Sequence, residues 1–153
     1  MLQGSVLAVI AILDPNDTVT QVLYLVHILA AIAAFGPLFL YPRLQRTGET
    51  ATIALLHMKL VFPALILLWV AGMGLAGTQK IKLGGTWFVT ISIVLWLVAL
   101  LASWFLIRPS ITDRSEQAQK LFGMGVGITH LILVITLYLM IFKPGGYGDG
   151  TGL

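Results

Sequence analysis

The sequence contains no cysteine, and only 10% of its 153 residues are charged. The absence of cysteine excludes disulfides, thiolate metal sites, iron–sulfur ligation and a cysteine nucleophile. A soluble domain covers its surface with roughly 25% charged residues. Because 58% of this chain is hydrophobic, we expect most of its surface to face a lipid bilayer. The net charge of +3 is spread over short loops without a basic stripe, so no nucleic-acid partner is expected.

Carboxylates are missing from the apolar parts of the chain. All six acidic residues fall in loops or tails, between the long hydrophobic runs. Ion- and proton-coupled carriers place ionisable groups inside the membrane, and they are usually built from internal repeats that need a longer chain. The sequence therefore argues against a carrier.

Four hydrophobic runs are present instead, and each reaches the roughly 20 residues that a helix needs to cross a bilayer. None alternates as a barrel strand would. We predict an all-α integral membrane protein, a four-helix up-down-up-down bundle that occupies residues 18–144. Prolines follow three of the runs and predict helix ends at Pro42, Pro109 and Pro144. The predicted helices span about 18–41, 51–76, 85–107 and 120–142.

The two ends of the chain lie outside this bundle. Residues 1–13 are apolar but too short to span and lack the basic start of a signal peptide. With the turn that follows, they predict a short interfacial segment over residues 1–17. Residues 145–153 form a glycine-rich tail. Helix caps are predicted at Asp17 or Thr18 and at Thr86.

Loop charges predict the orientation. We call side A the face where the first helix begins, and side B the opposite face. Basic residues favour side B, which predicts a cytoplasmic side B and outward termini, in what we expect to be a bacterial inner membrane. Side A holds Lys80, Lys82 and Lys143, whereas side B holds Arg43, Arg46, Arg108, Arg114 and Lys120.

Two histidines lie deep in the first and fourth helices. His27 is about nine residues from side A and His130 about thirteen, or roughly 14 and 19 Å. The first and fourth helices of such a bundle are neighbours, so the two imidazoles are expected at similar depth. Two histidines at one level are compatible with axial ligation of haem b. They are also compatible with hydrogen bonds to each other or to backbone carbonyls.

Small residues share the helix faces of both histidines. A porphyrin edge needs such a groove, but close helix packing in membranes uses the same residues without any ligand. The candidate groove residues are Ala30, Ala31 and Ala34 beside His27, and Gly123 and Gly127 beside His130.

His57 and Lys59 lie near side B, in the second helix. His57 is roughly 28 Å from side A by the rise of a helix, too far to share a ligand with the other histidines. We predict an interfacial imidazole at His57 and a side chain that snorkels to the surface at Lys59.

Parts of the sequence resemble the HemJ-type protoporphyrinogen oxidases. The resemblance rests on YLVH at 24–27 and FLYPRL at 39–44 in the first helix, and on HMKL at 57–60 followed by a proline and late glycines in the second. The same four-helix plan is shared by the copper-resistance D family and a related uncharacterised membrane family. The resemblance covers roughly residues 20–145, and it implies that His27 is a haem ligand.

Two segments depart from the HemJ-type pattern. The third helix reads SIVLW at 92–96, without that family's Lys-Leu pair and histidine, and KLFGM at 120–124 replaces its Arg-x-x-Asn-Glu motif. We therefore leave oxidase activity open and expect a small b-type haem protein or redox subunit. The alternative is a non-catalytic accessory subunit that packs in a larger membrane complex or a homo-oligomer. Copper handling is a third interpretation, disfavoured by the absent cysteine and scattered methionines.

Overall fold

The computed structural model describes residues 15–81, 83 and 85–144, and this part of the chain is helical without a strand. Four helical spans are long and apolar enough to cross a membrane. This confirms the predicted all-α, four-helix membrane fold. Residues 1–14 of the segment predicted over residues 1–17, the tail predicted over residues 145–153, and Lys82 lie outside the described residues, and residues 15–17 belong to the first helix. The spans are Thr18–Arg46, Thr50–Thr78, Trp87–Ser110 and Glu116–Phe142.

Three of the spans are interrupted. The first contains the α-helix Pro15–Phe35, the 3-10 turn Gly36–Phe39 and the short helix Tyr41–Arg46. The second contains Thr50–Leu56, the π-helical segment His57–Val61 and Phe62–Thr78. The third contains Trp87–Leu101, the π-helical segment Ala102–Ile107 and the short helix Arg108–Ser110. Only the fourth, Glu116–Phe142, is one continuous α-helix.

Prolines explain these interruptions. Pro42, Pro63 and Pro109 each lie in the first turn of the helical segment after a break. Proline lacks an N–H, and its ring clashes with the carbonyl four residues earlier in an α-helix. A changed turn just before the proline removes that clash, so the chain continues as a helix. The first and third spans thus extend to Arg46 and Ser110, beyond the ends predicted at their prolines.

The helix starts also differ from those predicted. The fourth helix begins at Glu116, four residues before the predicted start, because the Ser115 hydroxyl accepts a hydrogen bond from the Ala118 N–H at 3.2 Å. Asp17 and Thr18 lie inside the first helix. Thr86 precedes the third helix, but its side chain makes no capping hydrogen bond.

Contacts between consecutive spans place the core. The Gln79 side-chain amide donates a 2.7 Å hydrogen bond to the Tyr24 hydroxyl, linking the first and second spans near side A. The Trp96 indole N–H donates to the Leu65 carbonyl at 2.8 Å and links the second and third. Gly125 lets the fourth span approach Ile107 on the third. The apolar core lies nearer side B and includes Phe35, Leu38, Ile53, Val61, Leu65, Ile107, Phe122 and Val126.

Candidate functional site

His27 lies in the interface between the first and second spans. A Cβ atom added to Gly72 would stand 3.2 Å from the His27 Cε1 atom, so this glycine makes room for the ring. The Nδ1 atom is buried and has no partner among the described residues.

His130 lies in a different interface, between the fourth span and the side-B half of the first. Its ring centroid is 4.2 Å from that of Phe39. The Nε2 atom is buried and also lacks a partner among the described residues. The two histidines are therefore packed against different elements.

The stacked rings of Tyr41 and Phe122, 5.9 Å apart, set the relative level of the first and fourth spans. His27 lies about 21 Å from Tyr41 along its helix, and His130 about 12 Å from Phe122. His27 is thus on the order of 10 Å nearer side A than His130. The prediction of similar depth was counted from the side-A ends of the two helices, whereas this register is counted from Tyr41 and Phe122.

The described contacts place His27 against the second span and His130 against the first, and none of them joins the two histidines. The predicted groove is likewise divided between two places. Ala30 and Ala34 are 2% and 0% exposed inside the bundle, and Ala31 is half-buried. Gly123 and Gly127 face outward. Haem b binding stays a prediction of the sequence.

A buried polar cluster joins the first three spans, and we call Tyr41, His57 and Ser103 the polar cluster. The Tyr41 hydroxyl is 3.2 Å from His57 Nδ1. Nε2 of the same ring is 3.2 Å from the Ser103 carbonyl oxygen and 3.0 Å from the Ser103 hydroxyl. Their exposed fractions are 0%, 0% and 1%. The prediction of an interfacial His57 is wrong, because the ring lies inside the bundle.

The bond to the Ser103 carbonyl is made by the tautomer of His57 that carries its proton on Nε2, because a backbone carbonyl can only accept. Nδ1 of His57 then accepts a hydrogen bond from the Tyr41 hydroxyl. Both ring nitrogens are satisfied, so the cluster leaves neither of them free for a ligand and it holds three spans together.

The two π-helical segments bring this cluster together. His57 begins one of them, and Ser103 is the second residue of the other. Each residue precedes a proline by six positions, Pro63 and Pro109 respectively. A polar residue six positions before a proline, inside an apolar run, was therefore the feature of the sequence that could have predicted this cluster. π-Helical turns occur frequently at functional sites, which makes the polar cluster a candidate site.

A second feature is an open face on the fourth span, which we call the open glycine face, formed by Gly123 and Gly127. In the described part of the chain, a Cβ atom added to either residue meets nothing within 4 Å. Spaced four residues apart, they form the small-xxx-small pattern of associating membrane helices. Leu131 continues the same face and is exposed.

The fold and these features define a class, that of small all-α integral membrane proteins with a four-helix bundle. The chain matches no protein-family profile, no curated protein and no solved structure. Within the described residues, no group of three or more His, Asp or Glu side chains is arranged to hold a metal ion.

Proposed function

We propose that the protein is a non-catalytic accessory subunit that packs against a helix of a larger membrane complex through its open glycine face. The observation that carries this proposal is that Gly123 and Gly127 have no packing role among the residues that the structure describes. The polar cluster supports it, because all of its ring nitrogens have partners inside the bundle. On this proposal His57 stabilises the subunit through these hydrogen bonds.

Three other glycines of the spans provide a contrast, whereas Gly36 and Gly77 are as open as Gly123 and Gly127. Added Cβ atoms would come within 3.2 Å of His27 at Gly72, 3.1 Å of Leu23 at Gly74 and 2.8 Å of Ile107 at Gly125. Close packing inside the chain explains these three. Glycine in a helix costs about 1 kcal/mol relative to alanine, and at Gly123 and Gly127 no internal contact offsets that cost. Approach of another helix backbone would offset it.

Photocrosslinking in native membranes tests the proposal. A benzophenone amino acid in place of Leu131 samples the open glycine face, and the same group in place of exposed Val94 on the third span is the control. We expect a discrete adduct with a different polypeptide from position 131 and none from position 94. Gly127→Leu is expected to abolish the adduct. Gly77→Leu, at another glycine with nothing within 4 Å of an added Cβ, is expected to preserve it.

Two results would contradict an accessory role. The first is an adduct with twice the mass of the chain, or the absence of any adduct, because neither result is compatible with a different polypeptide at the open glycine face. The second is a Soret band in detergent-purified protein, with sharp reduced α and β bands that disappear in His27→Ala. That spectrum would establish the alternative predicted from the sequence, a b-type haem protein. His130→Ala would then show whether the second histidine contributes.

A further inference from the structure

The membrane-facing groove between the second and third spans carries two cations near side B. Lys59 in the second span and Arg108 in the third are both exposed. Neither has an acidic partner among the described residues, and the sequence has no Asp or Glu between Glu49 and Asp113. Two positive charges therefore share this part of the surface without a counter-ion from the protein.

Aromatic side chains shape the groove between these cations. The Phe62 and Trp104 rings are 5.1 Å apart and bridge the two spans. The Arg108 guanidinium lies 4.0 Å from the centroid of the Trp104 ring. A cation over an indole face is stabilised by the ring quadrupole. The Arg108 side chain is thus held in place before any ligand binds.

The direction of each helix brings the two charges toward each other. Side chains lean toward the N-terminus of their helix. The second span begins at side B, so the Lys59 stem leans toward side B. The third span begins at side A, so the Arg108 side chain leans back over Trp104 toward side A. From these helix directions we infer that the two cationic groups approach the level of the Phe62–Trp104 pair.

We propose that this groove binds the phosphate of an anionic phospholipid between Lys59 and Arg108. On the side of the cations that faces side A, the groove is lined by the exposed apolar side chains of Leu101 and Phe105. A phospholipid satisfies both parts, since its phosphate meets the cations and its acyl chain covers the apolar wall. Basic pockets between transmembrane helices bind acidic headgroups in this way.

Native mass spectrometry of the full chain tests the site. The protein is mixed with equal concentrations of dioleoyl phosphatidylglycerol and dioleoyl phosphatidylcholine, and the ratio of the two single-lipid adducts is measured. We expect phosphatidylglycerol to dominate in the wild type. One cation near an anionic headgroup contributes roughly a fivefold preference, so Lys59→Gln with Arg108→Gln should lower the ratio by at least about tenfold. Lys59→Arg should preserve it.

The control removes two charges elsewhere on side B, with Arg46→Gln and Lys120→Gln. An unchanged ratio in this control, together with the loss in the first double variant, supports a localised lipid site. Equal loss in both double variants would overturn the proposal in favour of diffuse attraction, and no loss in either would overturn it outright. Displacement of phosphatidylglycerol by millimolar inorganic phosphate would overturn the lipid in favour of a free anion.

Discussion

At the scale of single residues, the polar cluster predicts a graded set of stability effects. Among the described residues, Tyr41 is the hydrogen-bonding partner of His57 Nδ1. Tyr41→Phe removes that partner, and an unpartnered buried group costs about 1–3 kcal/mol. We expect the thermal midpoint in detergent to fall by roughly 2–8 °C. Ser103→Ala should cost less, because the Ser103 carbonyl still accepts from Nε2.

Ser92→Ala provides the matched control for these variants. Ser92 is a buried serine of the same span, but its hydroxyl donates to Phe88 within its own helix. Its removal breaks no contact between spans, so we expect an unchanged midpoint by fluorescence-detected size-exclusion chromatography after heating. Equal losses in Ser92→Ala and Tyr41→Phe would show that the polar cluster does not hold the spans together.

At the scale of single helices, alanine substitutions distinguish two kinds of glycine in the fourth span. Gly125→Ala would place a Cβ atom 2.8 Å from Ile107 and 3.0 Å from the Leu106 Cβ, so we expect about 1–3 kcal/mol of destabilisation from overpacking. Gly123→Ala meets open space and should be neutral or stabilise the helix by up to about 1 kcal/mol. Thermal unfolding of the two purified variants checks the difference. Equal effects would mean that the third and fourth spans do not pack at Gly125.

The hydropathy of the sequence predicted that four helical spans exist, but it did not predict how each span continues past its prolines. Runs of apolar residues sufficed to predict four spans, because lipid admits little else. Pro42 and Pro109 were expected to end helices, as they would in water, where freed backbone groups bond to solvent. In this fold the chain instead changes its turn before each proline and remains helical. The helix ends predicted at Pro42 and Pro109 therefore fall short of the observed ends of the first and third spans.

At the scale of the whole molecule, loop charges predict a cytoplasmic side B. The absence of cysteine allows single reporter thiols at exposed Leu83 on side A and Thr112 on side B. A membrane-impermeant maleimide should label Leu83→Cys in intact cells and Thr112→Cys only after permeabilisation. The reverse labelling pattern would show that side A, and not side B, faces the cytoplasm. Labelling both after denaturation controls for expression.

The whole-molecule arrangement also explains why the candidate site was only partly predictable. Sequence reasoning placed His27 and His130 together by assuming level helix ends, but the ring contacts of Phe39 and Tyr41 with the fourth span give a different register. It placed His57 at the interface because no partner histidine was near. The actual partners are a tyrosine and a serine on two other spans, and only tertiary packing brings them to one point.

The π-helical segments also bear on how the chain tolerates insertions and deletions. A π-helical turn holds one residue more than the α-helical turn that it replaces. Removal of one residue from His57–Val61 would restore an α-helical turn that covers nearly the same rotation, so the preceding part of the span would keep its face toward the core. Ile53 would stay buried, but the Pro63 ring would then clash with the carbonyl four residues before it. Each segment is thus a point at which the span holds one extra residue without a change in which side of the helix faces lipid.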